Sequence, residues 1–248
     1  MLTLALDTSS DSGSIAILRD QRLIAVVSTS AEETYSSRIF RQLEFLLAEL
    51  SVSLDQFDLF AVNAGPGSFT GLRVGLTLAK AWAEVYGRPV AAVSGLEAVA
   101  AQAVADSGLI ISVLDARRGQ IYAGAYRQVA SISGVSHLVA DGENVVITPQ
   151  EFLVWVGAPQ RLDATIATVS VAWFASIISG SSARLPSGDA VGVQQFHPRQ
   201  VRQVSHVLAP IIGSLGHSQF VGGEAVDALH LDANYVRRSD AELNWKGK

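Results

Sequence analysis

Cysteine is absent from the 248 residues, and this absence removes several kinds of chemistry. Disulfide bonds, thiolate nucleophiles and zinc–thiolate sites are excluded, because each of them needs a cysteine sulfur atom. Histidine is scarce as well, and the five residues are His137, His197, His206, His217 and His230. None of them forms an H-x-x-x-H or H-E-x-x-H pattern, so the sequence holds no helical zinc-protease motif.

Charged side chains are also few, at 17% of the residues against roughly 25% in an average domain. The net charge is −5, and the longest basic clusters are the pairs Arg117-Arg118 and Arg237-Arg238. A protein that binds nucleic acid by itself usually carries a basic face or stripe. A role near RNA would therefore require a basic partner.

The uncharged stretch at residues 164–183 is long enough to be checked for a membrane span. Threonine, serine and glycine interrupt it repeatedly, so it favours a buried helix over a membrane span. The N-terminus lacks a basic region and Asp7 interrupts its apolar start, so we expect no signal peptide. These patterns predict a cytoplasmic protein that does not contact the membrane.

Hydrophobic periodicity predicts an α/β fold, since the first 105 residues read β-β-β-α-β-α-β-α. Three alternating runs within residues 2–27 indicate an antiparallel meander, and helical spacing indicates helices over Glu32–Leu50 and Phe69–Tyr86. The continuous apolar run at 59–62 is typical of a central parallel strand. Together these elements predict a mixed sheet covered by helices.

The second half begins with two further strand patterns, and its periodicity weakens beyond residue 130. We predict an N-terminal lobe over residues 1–105 and a smaller second lobe over residues 106–248. A C-terminal helix of the second lobe is a candidate to return to the first. The halves could share a duplicated layout, although no sequence repeat is visible.

Two polar loops have residues that can contact phosphate. The first, between the first two predicted strands, contains Asp7, Thr8, Ser9 and Ser10. Hydroxyls and amides there could contact phosphate while the carboxylate contacts a hydrated Mg²⁺. An ordinary turn uses the same residue types and is the favoured alternative for this stretch taken alone.

The second loop follows a buried strand and opens a helix, where α/β sheets bind ligands. Its residues Gly65, Gly67 and Ser68 fit neither the dinucleotide fingerprint nor a Walker loop. The loop sequence by itself names no ligand.

Small residues recur every four positions in the predicted helix over 69–86, at Gly71, Gly75, Ala79 and Ala83. Such a stripe lets another helix approach closely. Each glycine costs a helix about 1 kcal/mol against alanine, which suggests a packing requirement. The pattern leaves it open whether this stripe contacts the same chain or another protein.

Catalytic patterns are missing from the sequence. It contains no G-x-S-x-G nucleophile elbow, and the stretch Asp115–Gly119 is more typical of a turn or structural ion pair. We therefore predict no catalytic residue and no metal ligand.

Three segments resemble the TsaB (YeaZ) family, the bacterial subunit of the machinery that makes threonylcarbamoyladenosine in tRNA. They are residues 4–9, residues 65–75 and residues 114–122. The second, G-P-G-S-F-T-G-L-R-V-G, is long and contiguous and therefore specific. Residues 235–242 also resemble the ending of that family, and the likeness is loose between about 130 and 220.

The resemblance implies an actin-like ATPase fold, with two lobes of RNase H-like topology and mixed sheets flanked by helices. The similar catalytic subunit TsaD binds metal through paired histidines on its first helices. Here the predicted helix Glu32–Leu50 has no histidine, and Tyr35-Ser36 stands where family members often show His-Ser. This departure makes catalysis by the chain still less expected.

The function that the resemblance implies is that of a non-catalytic scaffold. It would pair with TsaD, help to recruit the ATPase TsaE, meet tRNA only indirectly through the complex, and form a homodimer in isolation. In the family the first two helices contact TsaD. We therefore expect a partner face made of Ile39, Leu43, Leu46, Leu47, Gly71, Gly75 and Ala79.

Two other functions stay open at this point. A nucleotide hydrolase would use Asp7 with the Gly65–Ser68 loop, but the second half offers only the weak match Val221–Ala225 for an adenosine site. The missing histidine pairs and cysteines argue against a glycoprotease-like peptidase. We expect no cofactor, with a nucleotide at the partner interface as the alternative.

Overall fold

The computed structural model describes residues 1–30, 35–103, 108–130, 136–179, 182–184, 190–192 and 200–227. The chain divides into two compact units. The first contains Met1–Ala98 and the stretch that begins at His206, and the second is Val99–Ser205. This division differs from a single boundary after residue 105, because the chain returns to the first unit. The resembling ending at 235–242 lies outside the described residues.

A mixed sheet forms the centre of the first unit. Its described strands are β1 (Leu2–Asp7), β2 (Ser14–Arg19), β3 (Arg22–Ser28), β4 (Leu59–Gly65) and β5 (Val90–Ser94). They lie in the order β3-β2-β1-β4-β5. The pairs β1–β2 and β2–β3 are antiparallel, whereas β1–β4 and β4–β5 are parallel. This arrangement is the RNase H-like topology that the resemblance implied.

Two helices cover one face of this sheet, α1 (Tyr35–Leu50) and α2 (Phe69–Tyr86). Their apolar stripes join the side chains of β1, β2 and β4 in one buried cluster. Ser68 caps α2, since its hydroxyl accepts from the Gly71 N–H, and Gly87 ends it at a φ of 61°. The short helix α3 (Gly95–Ala100) follows β5.

The second unit repeats the same strand order. Its larger sheet contains β6 (Leu109–Asp115), β7 (Ile121–Ala130), β8 (Ser136–Ala140), β9 (Val145–Ile147), β10 (Thr165–Thr168) and β13 (Val201–Gln203). The order is β13-β10-β6-β7-β8, with β9 also beside β7. The pairs β6–β7 and β7–β8 are antiparallel, and β6–β10 and β10–β13 are parallel. The halves therefore share a topology that their sequences do not reveal.

The described part of the second unit also contains the helices α4 (Pro149–Val156) and α5 (Val171–Ile178). The short strands β11 (Ser182–Arg184) and β12 (Ala190–Gly192) pair antiparallel. The prediction of a single buried helix over the uncharged run at 164–183 is wrong. It forms the buried strand β10 and then α5, because the Ser170 hydroxyl accepts from the Trp173 N–H and starts a new helix. In the part of the chain that the structure describes, no helix is long and apolar enough to cross a membrane.

The last described helix, α6 (Ala209–Val221), packs on the other face of the first sheet, against β1, β2, β4 and β5. Close approach requires a glycine, since a Cβ atom at Gly216 would lie 2.7 Å from the Ala61 Cβ atom. The stretch from Val201 to Leu215 is thus divided between β13 and α6. Its second part covers the apolar face of the first sheet.

Candidate functional site

The first polar loop begins where β1 ends, at the fully buried carboxylate of Asp7. Its Oδ1 atom accepts three hydrogen bonds. The donors are the Ser9 N–H at 3.0 Å, the Ser9 hydroxyl at 2.7 Å and the Asn63 side-chain amide at 2.9 Å. Because a carboxylate oxygen is saturated by about this number of donors, Oδ1 has little capacity left for a ligand.

The other oxygen of Asp7, Oδ2, is buried and has no hydrogen-bond partner. Burial raises the pKa of Asp7, while the hydrogen bonds from Ser9 and Asn63 lower the same pKa and offset part of the increase. Burial dominates, because removing the charged carboxylate from water costs more free energy than these hydrogen bonds contribute. The carboxyl group of Asp7 therefore binds a proton more readily here than in the unfolded chain.

The second polar loop contacts the first. The Ser68 N–H donates to the Ser9 carbonyl at 2.7 Å, and the Asn63 amide also donates to the Ser9 hydroxyl at 3.0 Å. The Gly65 N–H donates to the Asn63 Oδ1 atom at 2.9 Å. A Cβ atom at Gly67 would lie 2.6 Å from the Ser9 Cβ atom, so only glycine allows this contact.

The structure thus brings together six of the seven residues that the sequence predicts as phosphate-contacting, and Ser10 stays exposed beside them. The polar groups of Asp7, Ser9 and Ser68 form hydrogen bonds with one another. The Ser9 and Ser68 amides and the Ser9 hydroxyl, which could otherwise donate to a phosphate, already donate inside the chain.

Asn63 is the residue of this cluster that sequence analysis missed. It lies near the end of the buried strand β4, shows 0% exposure, and links Asp7, Ser9 and Gly65. A polar residue at the end of an otherwise apolar strand was the available signal. A buried amide there must find partners, because unpaired polar groups in a protein interior are costly.

The stripe of small residues on α2 contacts this first loop. The Thr8 hydroxyl donates to the Gly71 carbonyl at 2.7 Å. A side chain at Gly71 would meet the Thr8 carbonyl, and one at Gly75 would meet the Thr8 hydroxyl. Of the two open alternatives, contact within the chain is the one that the structure shows at Gly71 and Gly75.

The predicted partner face needs the same correction. Ile39, Leu43 and Leu46 are 0%, 4% and 3% exposed, and Ala79 is fully buried, because they form the core between the helices and the sheet. Gly75 is buried, whereas Leu47 and Gly71 are partly exposed. The predicted set therefore lies mainly on the inner faces of α1 and α2, which the chain itself covers.

The outer surfaces of the same helices carry a different apolar feature. A groove of about 400 Å³ lies between them, with Phe40 56% and Phe69 41% exposed. The Arg73 guanidinium lies 4.5 Å from the centre of the Phe69 ring. The residues that line this groove are Phe40, Phe69, Thr70, Arg73, Val74, Thr77 and Leu78. We call it the α1–α2 groove.

Metal-ligating side chains do not gather in the described residues, where no three His, Asp or Glu side chains form a group suited to an ion. His197 and His230 lie outside that part of the chain. Asp7 is near the amide of Asn63 and the hydroxyl of Ser9, and these neutral groups do not make an acid–base pair.

Fold and sequence likeness together place the chain among the α/β proteins related to the enzyme that threonylcarbamoylates tRNA. The family model described as TsaD, tRNA N6-adenosine threonylcarbamoyltransferase, matches residues 20–163. The solved structure of YeaZ from Pseudomonas aeruginosa has a TM-score of 0.70 at 25% identity, covering 95% of this chain and 100% of that one.

Full-length relatives narrow this class to one family. A tRNA threonylcarbamoyladenosine biosynthesis protein TsaB of Bacillus subtilis (strain 168) is 37% identical, over 99% of this chain and 98% of its own length. The protein of the same name from Escherichia coli (strain K12) is 26% identical over 100% of both chains. The chain belongs to the TsaB family of tRNA threonylcarbamoyladenosine biosynthesis proteins, which confirms the resemblance.

Proposed function

We propose that the chain is a non-catalytic scaffold subunit of the complex that makes N6-threonylcarbamoyladenosine in tRNA. It pairs with TsaD, helps to recruit TsaE and forms a homodimer when TsaD is absent. The observation that carries this proposal is the α1–α2 groove, an apolar surface on a chain whose polar loops are closed on each other. Large exposed apolar patches are typical of interaction sites.

Support for the non-catalytic role comes from the hydrogen bonds of the two polar loops. Catalysis of acyl or phosphoryl transfer needs hydrogen-bond donors that point at the reacting group of the substrate. Here the Ser9 and Ser68 amides and the Ser9 hydroxyl bind other atoms of the chain instead. Opening the loops to a nucleotide would break several of these bonds at once.

Support for TsaD as the partner comes from the family model, whose match over residues 20–163 includes both α1 and α2. TsaD thus has counterparts of these helices. Two chains of like fold can pair through equivalent surfaces related by an approximate two-fold axis. The same geometry gives a homodimer from two copies of this chain, so TsaD and a second copy would compete for the groove.

The two phenylalanines of α1 offer a matched test. Phe40 lines the groove, whereas Phe45 does not, and their exposed fractions are nearly equal at 56% and 57%. Neither is buried, so replacing each with serine should leave the isolated chain folded. Truncating an aromatic at the centre of an interface commonly costs about 2 kcal/mol or more, which is roughly a 30-fold loss of affinity.

We expect Phe40→Ser to weaken the complex with TsaD of the same organism by about that factor, and Phe45→Ser to leave it nearly unchanged. Size-exclusion chromatography and a binding titration with purified TsaD measure the difference. Equal affinities for the unaltered chain and Phe40→Ser would remove the groove from the interface. ATP turnover by the isolated chain would overturn the non-catalytic role.

A further inference from the structure

The hairpin between β6 and β7 presents two adjacent arginines to solvent. Arg117, Arg118 and Gly119 are all exposed. The Ala116 N–H donates to the Gln120 carbonyl at 3.1 Å, and the Gln120 N–H donates to the Arg117 carbonyl at 3.0 Å. A hydrogen-bonded turn thus connects β6 to β7, the longest antiparallel strand pair among the described residues of the second unit.

The backbone at this turn is unusual for arginine. The φ angles are 60° at Arg117, 54° at Arg118 and 72° at Gly119. Left-handed backbone is disfavoured for residues with a Cβ atom, and hairpin turns that need it use mainly Asn-Gly, Asp-Gly or Gly-Gly. Two consecutive arginines are therefore a costly choice if the turn only has to connect two strands.

A neighbouring carboxylate holds the strained residue in place. The Asp115 Oδ1 atom accepts from the Arg117 N–H at 2.7 Å, and its Oδ2 atom lies 3.8 Å from the Arg117 guanidinium. Even with this ion pair, the Arg117 side chain is 69% exposed. Strain that the surrounding structure maintains is a reason to look for a function of the side chains involved.

Guanidinium groups suit phosphate, because their planar N–H donors match its oxygen atoms in pairs. We infer that Arg117 and Arg118 contact the phosphodiester backbone of tRNA when the chain is part of its complex. This inference rests on the proposed function. A chain with a net charge of −5 can supply a small number of such contacts. Most of the basic surface that binds tRNA would then belong to the other subunits.

Asparagine is the informative replacement, because it removes the charge and tolerates left-handed backbone. We expect the double variant Arg117→Asn/Arg118→Asn to fold with unchanged or higher thermal stability and to form the complex with TsaD normally. Its complex should bind tRNA less tightly. The slope of log affinity against log salt concentration should fall by about 1 for each arginine removed.

Two controls separate phosphate contact from other roles. Arg117→Lys/Arg118→Lys keeps both charges and should keep most of the salt dependence. Arg202→Gln removes one exposed charge from β13 of the same unit and should leave the tRNA affinity unchanged. The titration is made on complexes isolated by size exclusion, with fluorescent tRNA as the probe.

The outcomes distinguish this inference from the proposed function. If the asparagine variant assembles with TsaD and binds tRNA with the unaltered affinity and salt slope, the hairpin inference fails alone. It also fails if the lysine variant loses as much affinity as the asparagine variant, or if Arg202→Gln has the same effect. If the unaltered chain does not assemble with TsaD, the proposed function fails and this inference fails with it.

Discussion

Replacing Gly71 with alanine tests whether the small-residue stripe of α2 serves the fold of the chain itself. Alanine is the better helix former by about 1 kcal/mol. If no other part of the chain contacted the stripe, Gly71→Ala would therefore stabilise the isolated chain. In the structure, however, the new Cβ atom would meet the Thr8 carbonyl. Overpacking typically costs about 1–3 kcal/mol, and a backbone carbonyl cannot rotate away as a side chain can.

The same substitution strains a hydrogen bond, because the Thr8 hydroxyl donates to the carbonyl of Gly71. Losing that bond costs about 1 kcal/mol more. The costs therefore exceed the gain in helix propensity by about 1–3 kcal/mol. For a chain of this size each kcal/mol lowers the melting temperature by about 2–4 °C.

A comparison with Gly75 makes the assay specific. A Cβ atom there would meet the Thr8 hydroxyl rather than backbone. Thr8→Ala should therefore relieve Gly75→Ala but not Gly71→Ala. Thermal unfolding of the three single variants and the two double variants measures this difference. If Gly71→Ala stabilised the isolated chain and only weakened the TsaD complex, the stripe would face the partner and our reasoning would be refuted.

Two further predictions concern single polar groups. Burial raises the pKa of Asp7 above its unfolded value of 3.8, so its contribution to stability is present below that pH and is lost as the pH rises through the folded pKa. As the pH rises from acid to neutral, Asp7→Asn should therefore become more stable relative to the unaltered chain. A difference in the free energy of unfolding by denaturant that did not change with pH would contradict this. Ser170→Ala removes the cap on the Trp173 N–H and should cost about 1 kcal/mol, whereas Ser170→Asp keeps the cap. Equal melting temperatures for these last two variants would argue against the cap.

Local sequence was sufficient for much of the first unit. Ser68 and Gly87 mark the ends of α2 because a hydroxyl cap and a left-handed glycine satisfy helix ends using neighbouring residues alone. The apolar run at 59–62 predicted a buried parallel strand inside the sheet, and β4 is fully buried and parallel to both of its neighbours, β1 and β5. Contiguous motifs identified the family, which the full-length relatives confirm.

Tertiary structure alone decided what covers each surface. Periodicity reports that Gly71, Gly75 and Ile39 lie on small or apolar stripes, but a stripe has the same pattern whether a partner or the chain's own Thr8 fills it. Asn63 likewise acquires its role only where two loops 56 residues apart in the chain meet at Asp7. Such contacts depend on distances between segments that are remote in sequence. A local pattern does not contain those distances, so the α1–α2 groove and the closed loops could be recognised only in the folded chain.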